Sequence, residues 1–141
     1  MHILAELAAA RRSGVIHAHF TPRDGRALEE LLAEFELSPN VSALNPVDLQ
    51  LAERIAALVL AQDLAYGIQL MPLTDAARLA AAFVELFAGS KADCFTNASF
   101  NEEGGRLSLS EWTPLTDATF DTGILVLSTE RAGCLWVQDE D

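Results

Sequence analysis

Residues 120–138, FDTGILVLSTERAGCLWVQ, contain two strand-like segments separated by a polar turn. The segments are Phe120–Ser128 and Cys134–Gln138, and Thr129–Gly133 between them has a turn composition, so the pattern predicts a β-hairpin. Ile124–Leu127 is an unbroken apolar run, which indicates a central strand buried on both faces. We expect helices to cover one face of this strand. A partner molecule is a candidate to cover the other face.

A second hairpin is predicted upstream of the first. Cys94–Phe100 and Arg106–Trp112 flank Asn101–Gly105, whose two glycines can adopt positive φ. Val15–Phe20 also has strand character, with the histidines on one face and apolar side chains on the other. We therefore expect a single α+β domain over residues 1–141, with N-terminal helices packed on a C-terminal antiparallel sheet of about four strands. The early strand is an optional fifth member.

The first half of the chain has helical periodicity, and the last third has the pattern of strands. Residues 3–12 place apolar side chains on one face, and two later segments, Thr21–Asp24 and Asn45–Asp48, have the chemistry of helix starts. Each offers an N-cap side chain, a proline at the first helical position and an acid at the third. Apolar stripes at helical spacing follow both, and a further helix is predicted from Thr74 to Gly89.

Composition limits the class of protein. The 141 residues are 50% hydrophobic with a mean hydropathy of +0.20, which favours a folded chain over a disordered one. Nine basic against 21 acidic residues give a net charge of −12, which repels phosphate backbones and anionic lipid surfaces. We expect neither nucleic-acid nor membrane binding. No secretory signal or membrane span is evident, and the Ala-, Leu- and Arg-rich usage is typical of a GC-rich bacterial genome, so we expect a cytoplasmic bacterial protein.

The acidic residues are concentrated late in the chain. Residues 93–141 contain two basic and ten acidic residues, a net charge of −8. Both tryptophans also lie in this part, and tryptophan is enriched at binding hot spots. The residues that we expect to contact a basic protein partner are Trp112, Asp117, Asp121, Trp136, Asp139, Glu140 and Asp141. Solvated turns and buried tryptophans are the alternative explanation of the same pattern.

Two other sets of side chains are candidates for metal binding or catalysis. His17 and His19 lie two apart on one strand face, a spacing that zinc sites use, so a metal-dependent hydrolytic enzyme built on them is an alternative function. Asp117 and Asp121 are a possible acid/base pair where a loop enters a strand. No nucleophile or phosphate-binding motif accompanies them, and no cofactor is implied. Cys94 and Cys134 are expected to be buried thiols.

The sequence therefore favours a small acidic binding protein over an enzyme. Immunity and inhibitor proteins are of this kind, since they neutralise a basic toxin or enzyme by charge complementarity. A homodimeric structural or regulatory protein is a further alternative, with Ile124–Leu127 or the Ala-rich helices at the subunit interface.

Overall fold

A computed structural model describes residues 2–141. Its helices are α1 (His2–Ala8), α2 (Leu28–Glu34), α3 (Leu49–Ala61) and α4 (Leu73–Glu85), with a short 3-10 turn at Val41–Ala43. Its strands are β1 (Val15–Pro22), β2 (Asn45–Val47), β3 (Asp93–Thr96), β4 (Ala98–Glu103), β5 (Arg106–Trp112), β6 (Phe120–Leu127) and β7 (Arg131–Asp139). The expected α+β class is confirmed, although there are more strands than the four predicted.

The main sheet has five antiparallel strands in the order β1-β7-β6-β3-β2. The hairpin predicted from residues 120–138 is β6–β7, and the early strand joins the sheet beside β7. The other predicted hairpin differs, because its first strand breaks at Asn97. Residues before the break pair with β6, and residues after it form a separate two-stranded sheet of β4 and β5.

Both faces of the central strands are covered by this chain itself. Helices α1, α3 and α4 pack on one face, which we call the three-helix face; its central side chains are Ile124, Val126, Leu135 and Val137. Helix α2 and the segment after it pack on the other, the α2 face; its central side chains are Leu125, Leu127, Cys134 and Trp136. The residues Ile124–Leu127 are therefore fully enclosed, and the expectation that they form a subunit interface or await a partner is wrong.

The two proline-containing segments predicted to start helices are strands instead. Thr21 and Pro22 continue β1, opposite Ala132 and Arg131, because pairing with β7 satisfies the backbone of a segment at the sheet edge. Helix α2 begins later, after Ala27, whose backbone N–H donates to the Glu30 carboxylate at 3.0 Å.

In the second segment, the helix begins closer to its predicted start than in the first. Asn45–Val47 forms β2, and Asp48 rather than Asn45 caps α3, accepting from the Leu51 backbone N–H at 2.7 Å. The acid in the sequence signature is thus the cap itself, which is a common role for aspartate.

Candidate functional site

A polar cleft of about 560 Å³ opens at one end of the α2 face. Strands β1 and β7 form its floor, the turn after α2 forms one wall, and the loop from β5 to β6 forms the other. The backbone N–H of Ser38 donates to the Leu115 carbonyl at 2.8 Å and holds the two walls together. The lining residues are His17, Glu36, Ser38, Pro114, Leu115, Thr116, Asp117 and Gln138.

Glu36 occupies an unusual backbone position in one wall. It follows the end of α2 with φ of +64°, and the N–H of Leu37 donates back to the Leu32 carbonyl at 2.9 Å, which is a Schellman helix ending. Glycine is the preferred residue there, because a Cβ in the left-handed region is strained. A glutamate at this position places an exposed carboxylate in the cleft at a cost in backbone energy.

The histidines lie on the floor and beside it. His17 is hydrogen-bonded to the Gln138 side-chain oxygen, and its ring stacks on that of His19 with centroids 6.3 Å apart. His19 stacks in turn on Phe35 at 5.1 Å. Burial lowers the pKa of His19, the neighbouring His17 lowers it further, and Glu36 opposes both effects. The surroundings of His19 therefore favour its neutral imidazole more than water does.

The metal-dependent alternative finds no complete ligand set among the side chains that the structure describes. Across residues 3–141, no group of three or more His, Cys, Asp or Glu side chains is arranged to hold a metal ion. His17 and His19 are stacked on one another, and one ring nitrogen of His17 is already bonded to Gln138. A zinc site needs at least three protein ligands, so this pair alone does not form one.

Asp121 is buried and holds the loop wall in place. Its Oδ1 accepts from the Trp136 indole N–H at 3.0 Å, and its Oδ2 accepts from the Thr116 hydroxyl at 2.8 Å. The backbone N–H groups of Leu115 and Thr116 and the Asn97 side-chain amide also donate to this carboxylate. Asp121 is fully occupied by these contacts, so it pairs with no catalytic aspartate and contacts no partner.

Trp136 is also buried, and its expected place on a docking surface is wrong. It lies on the α2 face among the residues that pack against α2, and its one polar atom is satisfied by Asp121. The apolar ring is covered by the chain, and its indole N–H has an internal acceptor, as buried tryptophans usually do.

Asp139 is the third expected contact residue that proves to be buried. It forms a bidentate ion pair with Arg11, with both distances 2.7 Å and side chains only 3% and 1% exposed. The other guanidinium N–H groups of Arg11 donate to the carbonyls of Ser13, Val59 and Gln62. Arg11 lies between α1 and β1, and these contacts join it to the ends of β7 and α3, so the role of the ion pair is structural.

The remaining expected contact residues are not buried, but they do not share one surface. Asp117 lines the cleft, and Glu140 accepts from the backbone and hydroxyl of Thr119, which places it against the same loop. Trp112 stacks on Phe120 with ring centroids 5.1 Å apart. Phe120 alternates with Asp121 along β6 and so belongs to the three-helix face, away from the cleft.

Four residues of this region were not singled out from the sequence: Asn97, Glu36, Ser38 and Gln138. The stripe of apolar residues that begins in α2 reaches Phe35, and Ser38-Pro39 follows closely, which was the available signal that the helix ends before Glu36. Nothing in the local sequence marked Asn97 or Gln138, because their roles depend on strands distant along the chain.

The thiols offer no chemistry. Burial and the nearby acids raise the pKa of Cys94 to about 11, and complete burial raises that of Cys134 as well. Both remain protonated at neutral pH and are poor nucleophiles.

Comparison with protein-family models, with curated proteins and with solved structures gives no match. Within residues 2–141, no helix combines the length and the apolar character that crossing a membrane requires.

Proposed function

We propose that this protein is a non-catalytic binding protein that docks a basic protein partner, with the polar cleft receiving a cationic side chain. The observation that carries the proposal is the pair of exposed carboxylates in the cleft, Glu36 and Asp117, one of which occupies a backbone position that favours glycine. Strained positions of this kind are retained mostly where the side chain has a use.

The chemistry of the cleft suits a guanidinium or ammonium group. Within the described residues, its lining contains two carboxylates, Glu36 and Asp117, and no lysine or arginine. Carboxylates bind arginine through paired, charge-assisted hydrogen bonds, which are about twice as strong as neutral ones.

The charge of the whole chain supports the same partner class. A net charge of −12 attracts a basic protein over a distance and raises its association rate, whereas it slows the approach of acidic ones. Glu140 extends the acidic surface past the loop wall, and Asp141 follows it along the chain. Under this proposal the protein acts in a bacterial cytoplasm and covers the active surface of a basic toxin or enzyme, as immunity proteins do.

A matched pair of triple variants tests the cleft. Glu36→Gln, Asp117→Asn and Glu140→Gln together remove three charges around the cleft. Asp75→Asn, Glu85→Gln and Glu103→Gln remove three from α4 and the β4–β5 hairpin, where all three residues are exposed. The probe is a short arginine-rich peptide, and its affinity is measured by calorimetry at low and moderate salt.

We expect the cleft variant to bind the peptide at least roughly tenfold more weakly than the control variant, because two carboxylates that act at short range are lost. Equal weakening in both variants would show that only net charge matters and would refute the cleft as the site. The partner itself is best sought as the product of an adjacent reading frame, co-expressed with this chain and assayed for inhibition.

A further inference from the structure

The two edges of the main sheet are very different. One edge strand is β2, which has three residues and includes Pro46. The other is β1, which has eight residues and a single neighbouring strand, β7. In the described part of the chain, the backbone of residues 15–21 makes no hydrogen bond other than those with β7.

The β1 edge lacks the features that normally block edge-to-edge pairing. Residues 15–21, VIHAHFT, include no charged lysine, arginine or acid and no proline, and β1 pairs with β7 without a bulge. Natural edge strands are usually shortened, charged or interrupted, as β2 is, because free N–H and C=O groups recruit another strand. The exposed half of the β1 backbone is thus available for pairing.

We propose that β1 pairs antiparallel with β1 of a second copy of this chain and joins the two five-stranded sheets into one. Antiparallel pairing about a two-fold axis keeps the α2 faces of both copies on the same side. The register centred on Ala18 pairs the most residues while leaving Pro22 outside. Strand β1 also contributes His17 to the floor of the cleft, but the pairing uses the free edge of its backbone and does not depend on the proposed function.

The β1 sequence is self-complementary in this register. On the three-helix face, Ile16 lies opposite Phe20 of the second copy, and Ala18 lies opposite its own equivalent. On the α2 face, His17 lies opposite His19 of the second copy, so the second copy contributes a ring beside the cleft. Apolar and aromatic cross-strand pairs of this kind stabilise antiparallel strands.

Charge also favours a second copy as the occupant. In a chain with net charge −12, the strand itself carries no acid, so the strongest repulsion lies elsewhere. Arg12 precedes the strand and Asp24 follows it, and both are exposed. In the antiparallel register, Arg12 of each copy lies near Asp24 of the other copy. Opposite charges therefore meet at both ends of the interface.

Two double variants test both the dimer and its register. Val15 and Thr21 are opposite one another across the proposed interface and six positions apart within one strand. Val15→Lys with Thr21→Lys places like charges opposite each other twice, whereas Val15→Lys with Thr21→Glu places opposite charges there twice. Val15 is 50% exposed and Thr21 is partly exposed, so both positions tolerate polar side chains.

Sedimentation equilibrium over a range of protein and salt concentrations gives the dissociation constant of the dimer. We expect the native chain to form a species of twice 15.2 kDa, and to do so more readily at higher salt because screening reduces the repulsion between two acidic copies. The Lys/Lys variant should dissociate roughly tenfold more readily than the native chain, and the Lys/Glu variant should not.

Circular dichroism and thermal unfolding of both variants control for folding. A native chain that stays monomeric at high protein and salt concentration would overturn the proposal. A dimer that both variants weaken equally, or that neither weakens, would overturn the register and the use of the β1 edge.

Discussion

Asp121 is the residue on which the loop wall of the cleft most depends, and Asp121→Asn should destabilise the protein strongly. Both carboxylate oxygens accept hydrogen bonds in a fully buried position, and the donors come from three separate segments of the chain. The asparagine amide keeps one oxygen acceptor. Its NH₂ group is a donor, so it cannot accept from the N–H and O–H groups that point at this position.

The size of the effect follows from the number of bonds. At least two donors lose their acceptor, and a hydrogen bond to a charged group contributes about 1.5–3 kcal/mol. The expected loss is therefore about 3–6 kcal/mol, a large part of the ~5–15 kcal/mol that typically stabilises a domain. With a urea m-value of about 2 kcal/mol per molar, the unfolding midpoint should fall by roughly 2 M.

Tryptophan fluorescence is a direct assay, because the Trp136 indole donates to Asp121. The measurement is made in a Trp112→Phe background so that Trp136 is the only reporter. Asp117→Asn is the matched control: it makes the same chemical change four positions earlier, at an exposed residue, and should change stability by less than about 0.5 kcal/mol. A loss below about 1 kcal/mol for Asp121→Asn, or an equal loss for the control, would refute this role for the carboxylate.

Three further predictions concern other parts of the molecule. Asp139→Asn should cost about 3–5 kcal/mol in urea unfolding, because it leaves the buried Arg11 unpaired; a cost near zero would contradict the structural role of the pair. Glu36→Gly should raise the stability by about 0.5–1 kcal/mol while weakening binding of the arginine-rich peptide, and a stability loss would show that the left-handed position is not strained. Because burial lowers the pKa of His19, the folded state binds its proton less well than the unfolded chain, so stability should fall as the pH drops below about 6.5; proton NMR should give His19 a midpoint below that value, and a higher midpoint would reverse the sign.

Hydrophobic periodicity predicted the main features of the fold. The alternation in residues 15–20 placed the histidines and the apolar side chains on opposite faces of a strand, and β1 has this arrangement. The continuous apolar run Ile124–Leu127 indicated burial on both faces, which the structure confirms. These features follow from side-chain periodicity and burial, which are local properties of the sequence.

Local sequence signals predicted the ends of helices and strands less well. The helix-start signature at Thr21–Asp24 was outweighed by pairing with β7, and the strand-like run at residues 94–100 was broken at Asn97. In both cases a contact with a distant strand determined the backbone, and such contacts are not visible within a short window of sequence.

The candidate site was the least predictable part. The acidic surplus is a property of the sequence, but it does not reveal which acids reach solvent: Asp121 and Asp139 are buried and bonded, while Asp117 and Glu36 line the cleft. The cleft joins a strand from the start of the chain to a helix end, a loop and the last strand, whose order in space is set by the sheet.

The sequence by itself determined the α+β class, the central hairpin and the net charge, since these depend on composition and on periodicity along the chain. Only the tertiary structure decided which charges remain exposed and which strand lies at the edge. A carboxylate can be buried only where the packing of distant segments brings hydrogen-bond donors to it. Arg11, which is 128 residues away along the chain, is the donor to Asp139, and Trp136, which is 15 residues away, is a donor to Asp121.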